Sequence, residues 1–314
     1  MSQARPFAER LARRVAERES QIVLGLDPDP AALWPVAGGA GRADGGAGER
    51  AARAVLEHCR AVIDATAPEC VAVKPQLARF ELLGAPGWAA LEAVAAHARE
   101  RGLLVIADGK RGDIDVTARA YAGALFGGVQ TPFGELGGLG ADLATVNPLM
   151  GVDAIEPFVT AARATGAGVL VLVRTSNPGA SDVEDLPLQG GGAVWERLAG
   201  IVARLGAGGV GESGVSDVGA VIGATEPRHL RRARELMPHA PFLLPGVGAQ
   251  GGRVEQLEPA FAPGRAGGLV SASRSIVDAH RSAGGEPAAA ARAAARRLRE
   301  AAWALSADPA ANVR

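Results

Sequence analysis

Apolar residues along this chain fall in short, nearly continuous runs. They read IVLGLD (22–27), CVAVKP (70–75), LLVIAD (103–108), ADLATVNP (141–148), GVLVLVR (168–174), GAVIGA (219–224), PFLLPG (241–246) and GLVSAS (268–273). Val, Ile and Leu dominate, and apolar character is not confined to alternate positions. That is the pattern of strands buried on both faces, as in parallel sheets. The gaps carry helical spacing instead, for example ERAARAVLEHCRAVIDA (49–65), GWAALEAVAAHARERG (87–102) and TEPRHLRRARELM (225–237). Strand and helix thus alternate about eight times, which predicts an α/β fold of the (β/α)8 TIM-barrel type, one domain over 1–314. A doubly wound open sheet shares the alternation and is the competing topology.

Three segments stand outside this rhythm. PVAGGAGRADGGAGE (35–49) is Gly-rich and reads as a flexible loop after the first strand. NPGASDVEDLPLQGGG (177–192) is a long loop after the fifth strand, of the kind that closes over sites. EPAAAARAAARRLREAAWAL (286–305) is a strong helix and reads as the last of the barrel.

Composition narrows the function classes. The chain has 314 residues, 48% of them hydrophobic, enough for a large core. With 33 basic and 34 acidic residues the net charge is −1, so no global field recruits nucleic acid or an anionic membrane. Aromatics are only 4%, too few for a base-stacking platform. Cys59 and Cys70 form neither a metal-type spacing nor a disulfide framework, which fits a reducing cytoplasm. The first twenty residues are charged throughout, without the apolar core of a signal peptide, and no run is long enough for a membrane span. The histidines at 58, 97, 229, 239 and 280 fall outside the strand ends and read as surface residues of helices or loops, with no metal cluster. GESGV (211–215) lacks the final glycine of a serine-hydrolase elbow.

In a barrel, chemistry sits at the carboxyl ends of the strands. Here those ends carry Asp27, Lys74, the knot IADGKRGDI (106–114), RTSNPG (174–179), PGVGAQGG (245–252) and SASRSI (271–276). Asp108 and Lys110 are two apart on an extended segment, so their side chains are expected on one face. Asp113 follows a turn at Gly112. With Lys74 and Asp27 from neighbouring strands, two lysines and three carboxylates converge on one mouth. Such crowding is costly unless every charge is paired. Its use is to keep an ammonium beside fixed carboxylates, a hallmark of active sites. GVGAQGG also satisfies G-x-G-x-x-G through Gly246, Gly248 and Gly251, but after the seventh strand, not the first. At the last two strands, glycines with an arginine at 274 point to phosphate binding, with backbone N–H groups approaching the oxygens.

With these residues in view, the chain resembles the orotidine 5′-phosphate decarboxylase family along nearly its whole length. DGKRGDI matches the family's D-x-K-x-x-D-I core. LGLDPD (24–29), VKPQLARFE (73–81), TSNPG (175–179), LPGVGAQGG (244–252) and SASRSI (271–276) follow the family's order. KPQ…FE is similar to the longer bacterial branch. The resemblance implies cofactor-independent decarboxylation of orotidine 5′-phosphate to UMP, with no metal. It implies that Lys110 delivers a proton to C6, that Asp108 faces the substrate carboxylate, and that Asp27 and Lys74 hold ribose hydroxyls. Ser176 meets the pyrimidine, and Gln250, Arg274 and the backbone at Ser273 hold the phosphate, with 177–192 closing over them. Asp113 and Thr117 reach into the partner's site of a homodimer.

The sequence departs from the family pattern at Gly109, Val116 and Ser273, none of which removes a charged group. Two alternatives remain at this stage. One is a Mg-dependent sugar-phosphate lyase of the same superfamily, against which the ammonium of Lys74 weighs, since it occupies the metal-binding carboxylate's place. The other is an inactive nucleotide-binding protein.

Overall fold

The computed structural model describes residues 6–42, 44–248 and 250–306. Eight parallel strands close into a barrel in chain order: Ile22–Leu26, Ala72–Pro75, Leu104–Arg111, Leu143–Val146, Gly168–Arg174, Val218–Ile222, Phe242–Leu244 and Gly268–Ala272. The first and last pair through Ile22 with Val270 and Leu24 with Ala272, so the sheet has no open edge. Closure excludes the doubly wound alternative. The eight apolar runs match the eight strands because each is buried on both faces, by the helices outside and by other strands' side chains inside.

Two apolar clusters result. The larger lies between sheet and helices, and the smaller fills the barrel interior with Val23, Val71, Ile106, Leu170, Leu243 and Leu269. A helix absent from the sequence reading, Phe7–Arg18, completes the interior cluster with Phe7, Leu11 and Val15. It caps the amino-terminal mouth, where a Cβ on Gly168, the first residue of the fifth strand, would lie 2.9 Å from the Phe7 ring. One end of the barrel is thus plugged, and the other is left for chemistry.

Four further differences from expectation have local causes. The Gly-rich stretch 35–49 is not a bare loop: it carries 3-10 turns at Pro35–Gly38 and Ala40–Arg42, and a helix begins at Ala47. The indole of the preceding Trp34 is buried and donates through Nε1 to the Val277 carbonyl, which ties this stretch to the barrel. His58 is not a surface residue. It is 4% exposed, its Nδ1 accepts the Trp34 N–H at 3.0 Å, and burial pushes its pKa down to about 4, so it stays a neutral acceptor. Val129–Thr131 and Gly134–Leu136 form an antiparallel hairpin outside the barrel, with Phe133 at its tip 99% exposed. The third strand runs past Asp108 to Arg111.

Arg234, on the helix Pro227–Leu236, anchors the seventh and eighth units. Its buried guanidinium donates to the carbonyls of Met237, Ala240, Ala260 and Gly267, at 2.7 to 3.0 Å, and stacks on the Phe242 ring. Each stranded buried carbonyl costs about 1–3 kcal/mol, less where water can enter. Arg234→Ala is therefore expected to lose about 3–5 kcal/mol of stability in urea unfolding. An unchanged midpoint would remove Arg234 from this role.

Candidate active site

A cavity of about 540 Å³ opens at the carboxyl ends of the strands. Lys74, Asp108 and Lys110 line it, from the second and third strands, with Asp27 just beyond the first. Ser176, Gln250, Ser273 and Arg274 line it from the loops after the fifth, seventh and eighth. Asp113 and Thr117 are not among its lining residues; Thr117 is exposed on the helix Asp115–Phe126 and Asp113 accepts the Ile114 N–H. Two of the three expected carboxylates, then, line the same cavity as the two lysines, and Asp108 pairs with both.

The centre is Asp108. Its Oδ2 accepts from Lys74 Nζ at 2.5 Å and from Gln76 Nε2 at 3.3 Å. Its Oδ1 accepts from Lys110 Nζ at 2.6 Å and from the Thr145 hydroxyl at 3.0 Å. A carboxylate offers about four acceptor positions, and four donors converge on this one. Burial by itself would raise the Asp108 pKa; the ammoniums of Lys74 and Lys110 outweigh it and hold the group at about 2. Asp108 is therefore ionised throughout the neutral range. The two lysines differ in access. The Lys74 side chain is 10% exposed and the Lys110 side chain 44%, so Lys110 presents its ammonium to the cavity.

Lys110 reaches this position by an irregular backbone, not by regular alternation along an extended strand. Pairing with the fourth strand runs Ile106 to Leu143 and Ala107 to Ala144, then resumes only at Arg111 to Val146. Three residues on one strand face a single one on the other, and within this bulge Lys110 sits at φ +46°. For a residue with a Cβ that left-handed conformation costs roughly 1–2 kcal/mol. The bulge turns Lys110 toward Asp108, while Arg111 points away to pair with Glu81 and lie over Tyr121.

The other lining loops are held close to the barrel. Beyond the fifth strand, Arg174 grips Asp185 through Nε and Nη2, both at 2.8 Å, and Thr175 donates its N–H to Glu184. These bonds fix the base of 177–192 beside Ser176. At Gly223 a Cβ would sit 2.8 Å from the Ser176 backbone, so only glycine lets that loop cross here. Gly246, Gly248 and Gly251 all have positive φ, but their loop folds on itself. The N–H groups of Gly248, Gly251 and Gly252 donate to carbonyls within it. The expected glycine N–H cradle is therefore largely spent internally, which leaves the side chains of Gln250 and Arg274 facing the cavity.

The sequence reading missed Thr145, Gln76 and Glu184, all of which line the cavity. Gln76 was visible within KPQ, and Thr145 was the one hydroxyl in the run LATV. Neither has a local signal for what it touches. Among the described residues, no group of three or more His, Cys, Asp or Glu is placed to hold a metal ion.

Comparison with known proteins gives the chain's family. The family model described as Orotidine 5′-phosphate decarboxylase / HUMPS family matches residues 20–294. A Deinococcus radiodurans protein named orotidine 5′-phosphate decarboxylase is 42% identical over 295 residues, which cover 94% of this chain and 96% of that one. A Haloarcula marismortui protein of the same name is 41% identical over 275 residues, covering 86% of each. Among solved structures, Leishmania donovani OMP decarboxylase superposes with a TM-score of 0.73 at 31% identity, over 96% of this chain and 99% of that one. The chain belongs to the orotidine 5′-phosphate decarboxylase / HUMPS family.

Proposed function

We propose that this chain decarboxylates orotidine 5′-phosphate to UMP in pyrimidine biosynthesis. The observation that carries this reading is the half-exposed Lys110 ammonium, held 2.6 Å from an ionised, buried Asp108 at the floor of the cavity. Loss of CO2 breaks the bond between C6 and the carboxyl carbon and leaves its electron pair on C6. The Lys110 ammonium stabilises that charge and donates a proton to C6, forming the C–H bond of UMP. The resulting amine is reprotonated from solvent. Enzymes of this kind of difficulty must lower a barrier by something in the range of about 8–23 kcal/mol. An ammonium already oriented by Asp108 needs no reorganisation when the charge develops.

The remaining roles follow from position. Lys74 and Asp27 would hold ribose hydroxyls, with Asp108 toward the substrate carboxylate and Ser176 toward the pyrimidine. Gln250, Arg274 and the Ser273 backbone would take the phosphate. Phosphate contacts remote from C6 can supply the binding energy that draws 177–192 over the site.

We assign a homodimer in which Asp113 and Thr117 complete the partner's cavity. Their exclusion from their own cavity supports it, as do the exposed apolar side chains between them, Ile114 at 51% and Val116 at 66%. A cytoplasmic setting suits Cys59 and Cys70, both buried free thiols. No helix among the described residues is long and apolar enough to cross a membrane.

The test follows the fall in orotidine 5′-phosphate absorbance with and without EDTA. Turnover is expected to be the same in both, because the Lys74 ammonium stands against Asp108 where a divalent cation would have to bind. Chelator-sensitive turnover, or none on this substrate, would overturn the reading.

A further inference from the structure

We infer that Thr145, on the fourth strand, is a positioning residue for the reaction: its hydroxyl holds Lys110 in the left-handed turn and Asp108 in register beneath it. The inference rests on the decarboxylase reading for its kinetic arm, but its geometric arm stands alone.

Along the third strand, Val105 and Arg111 accept backbone hydrogen bonds from the residues that flank the fourth strand, whereas Leu104 donates to the residue before the second. Pairing with the fourth strand lapses between Ala107 and Arg111, so the part-buried Lys110 N–H within the bulge has no ladder partner there and must be satisfied otherwise. It donates to Thr145 Oγ1 at 2.9 Å. Having accepted there, the same hydroxyl donates its own hydrogen to Asp108 Oδ1 at 3.0 Å, the oxygen that also receives the Lys110 ammonium at 2.6 Å. One hydroxyl therefore joins the backbone of the lysine to the carboxylate that orients its head group. Thr145 is 1% exposed, so water does not replace it. Beyond it the ladder resumes, with the Asn147 N–H donating to the Arg111 carbonyl at 2.8 Å. The bulge is thus pinned in its middle by a side chain and at its end by the backbone.

This arrangement requires a group that accepts and donates at once within a space the size of a methyl group. Serine can do it; valine and alanine cannot. Loss of the hydroxyl frees Lys110 to leave φ +46°. A displacement of about 1 Å in a reacting group can cost on the order of 100-fold in rate.

The experiment compares Thr145→Val, Thr145→Ser and Thr145→Ala. The Val variant is expected to lose about 10- to 100-fold in kcat, with UMP affinity within about threefold of wild type, and Ser to recover to within about threefold of wild type. Should Val fail to fold, the Ser–Ala pair isolates the hydroxyl in the same way. A crystal structure of a soluble hydroxyl-free variant is expected to show Lys110 out of the left-handed region or its Nζ parted from Asp108. Wild-type kcat without the hydroxyl, a loss that Ser does not rescue, or an unmoved Lys110 would overturn the inference. If the wild-type protein itself does not turn over orotidine 5′-phosphate, the decarboxylase reading fails, and the structural comparison still decides the role of Thr145.

Discussion

Lys110→Ala is expected to lower turnover of orotidine 5′-phosphate by at least about 10⁴-fold while leaving UMP binding within a few-fold of wild type. Two contributions vanish with the ammonium. Removing one preorganised charge-stabilising group typically costs about 10²–10³ in kcat. Removing a positioned acid costs about 10²–10⁴ more. The lower ends of these two ranges, taken together, give about 10⁴, the size of the expected loss. Lys74 is no substitute: its side chain is 10% exposed and its Nζ is committed to the far oxygen of Asp108. UMP lacks the carboxylate and develops no charge at C6, and the residues assigned to its phosphate and ribose are untouched by the substitution. Stopped absorbance assays and calorimetric titration with UMP measure the two halves. Decarboxylation near the wild-type rate by this variant would end the mechanism proposed here, and loss of UMP binding in parallel with turnover would make Lys110 a binding group instead.

Mixing inactive subunits is the second test with a large signal. Asp113→Ala and Lys110→Ala proteins, each expected to be nearly inert, should together recover roughly a quarter of wild-type activity once subunits exchange. The figure follows from two-fold symmetry. Random exchange makes half of the dimers mixed, and in a mixed dimer one site takes intact Lys110 from one chain and intact Asp113 from the other. The second site lacks both. The structural basis is that Asp113 lies beyond the bulge, outside the cavity that its own Lys110 enters. An Asp113→Ala protein that keeps full activity, or a mixture that stays inert although exchange is demonstrated, would remove Asp113 from the partner's site.

The residues that could be read in advance and those that could not divide along a physical line. The eight strands were legible because burial on both faces writes apolar character into consecutive positions. The helix Phe7–Arg18 was not, because only one narrow stripe of it is buried and most of its other positions are charged. The hairpin at 129–136 was silent for the opposite reason: most of its side chains face solvent, with no burial pattern to betray it. His58 looked like a surface residue because its helix carries charge on both sides of it in sequence, whereas Trp34, 24 positions away, decides its environment.

The same line runs through the site. By itself the amino-acid sequence determined the barrel, the ends of its strands as the place for chemistry, and the identity of the charged groups there, since each is encoded in residue type and local order. Tertiary structure alone decided how those groups face one another. Only the pairing of the second, third and fourth strands sets Lys74 and Thr145 on either side of Asp108, only the unequal pairing of two strands turns Lys110 through a left-handed residue, and only the fold excludes Asp113 from its own cavity. Hydrogen bonds between strands join residues more than thirty positions apart, and no local pattern of apolar and polar positions records them.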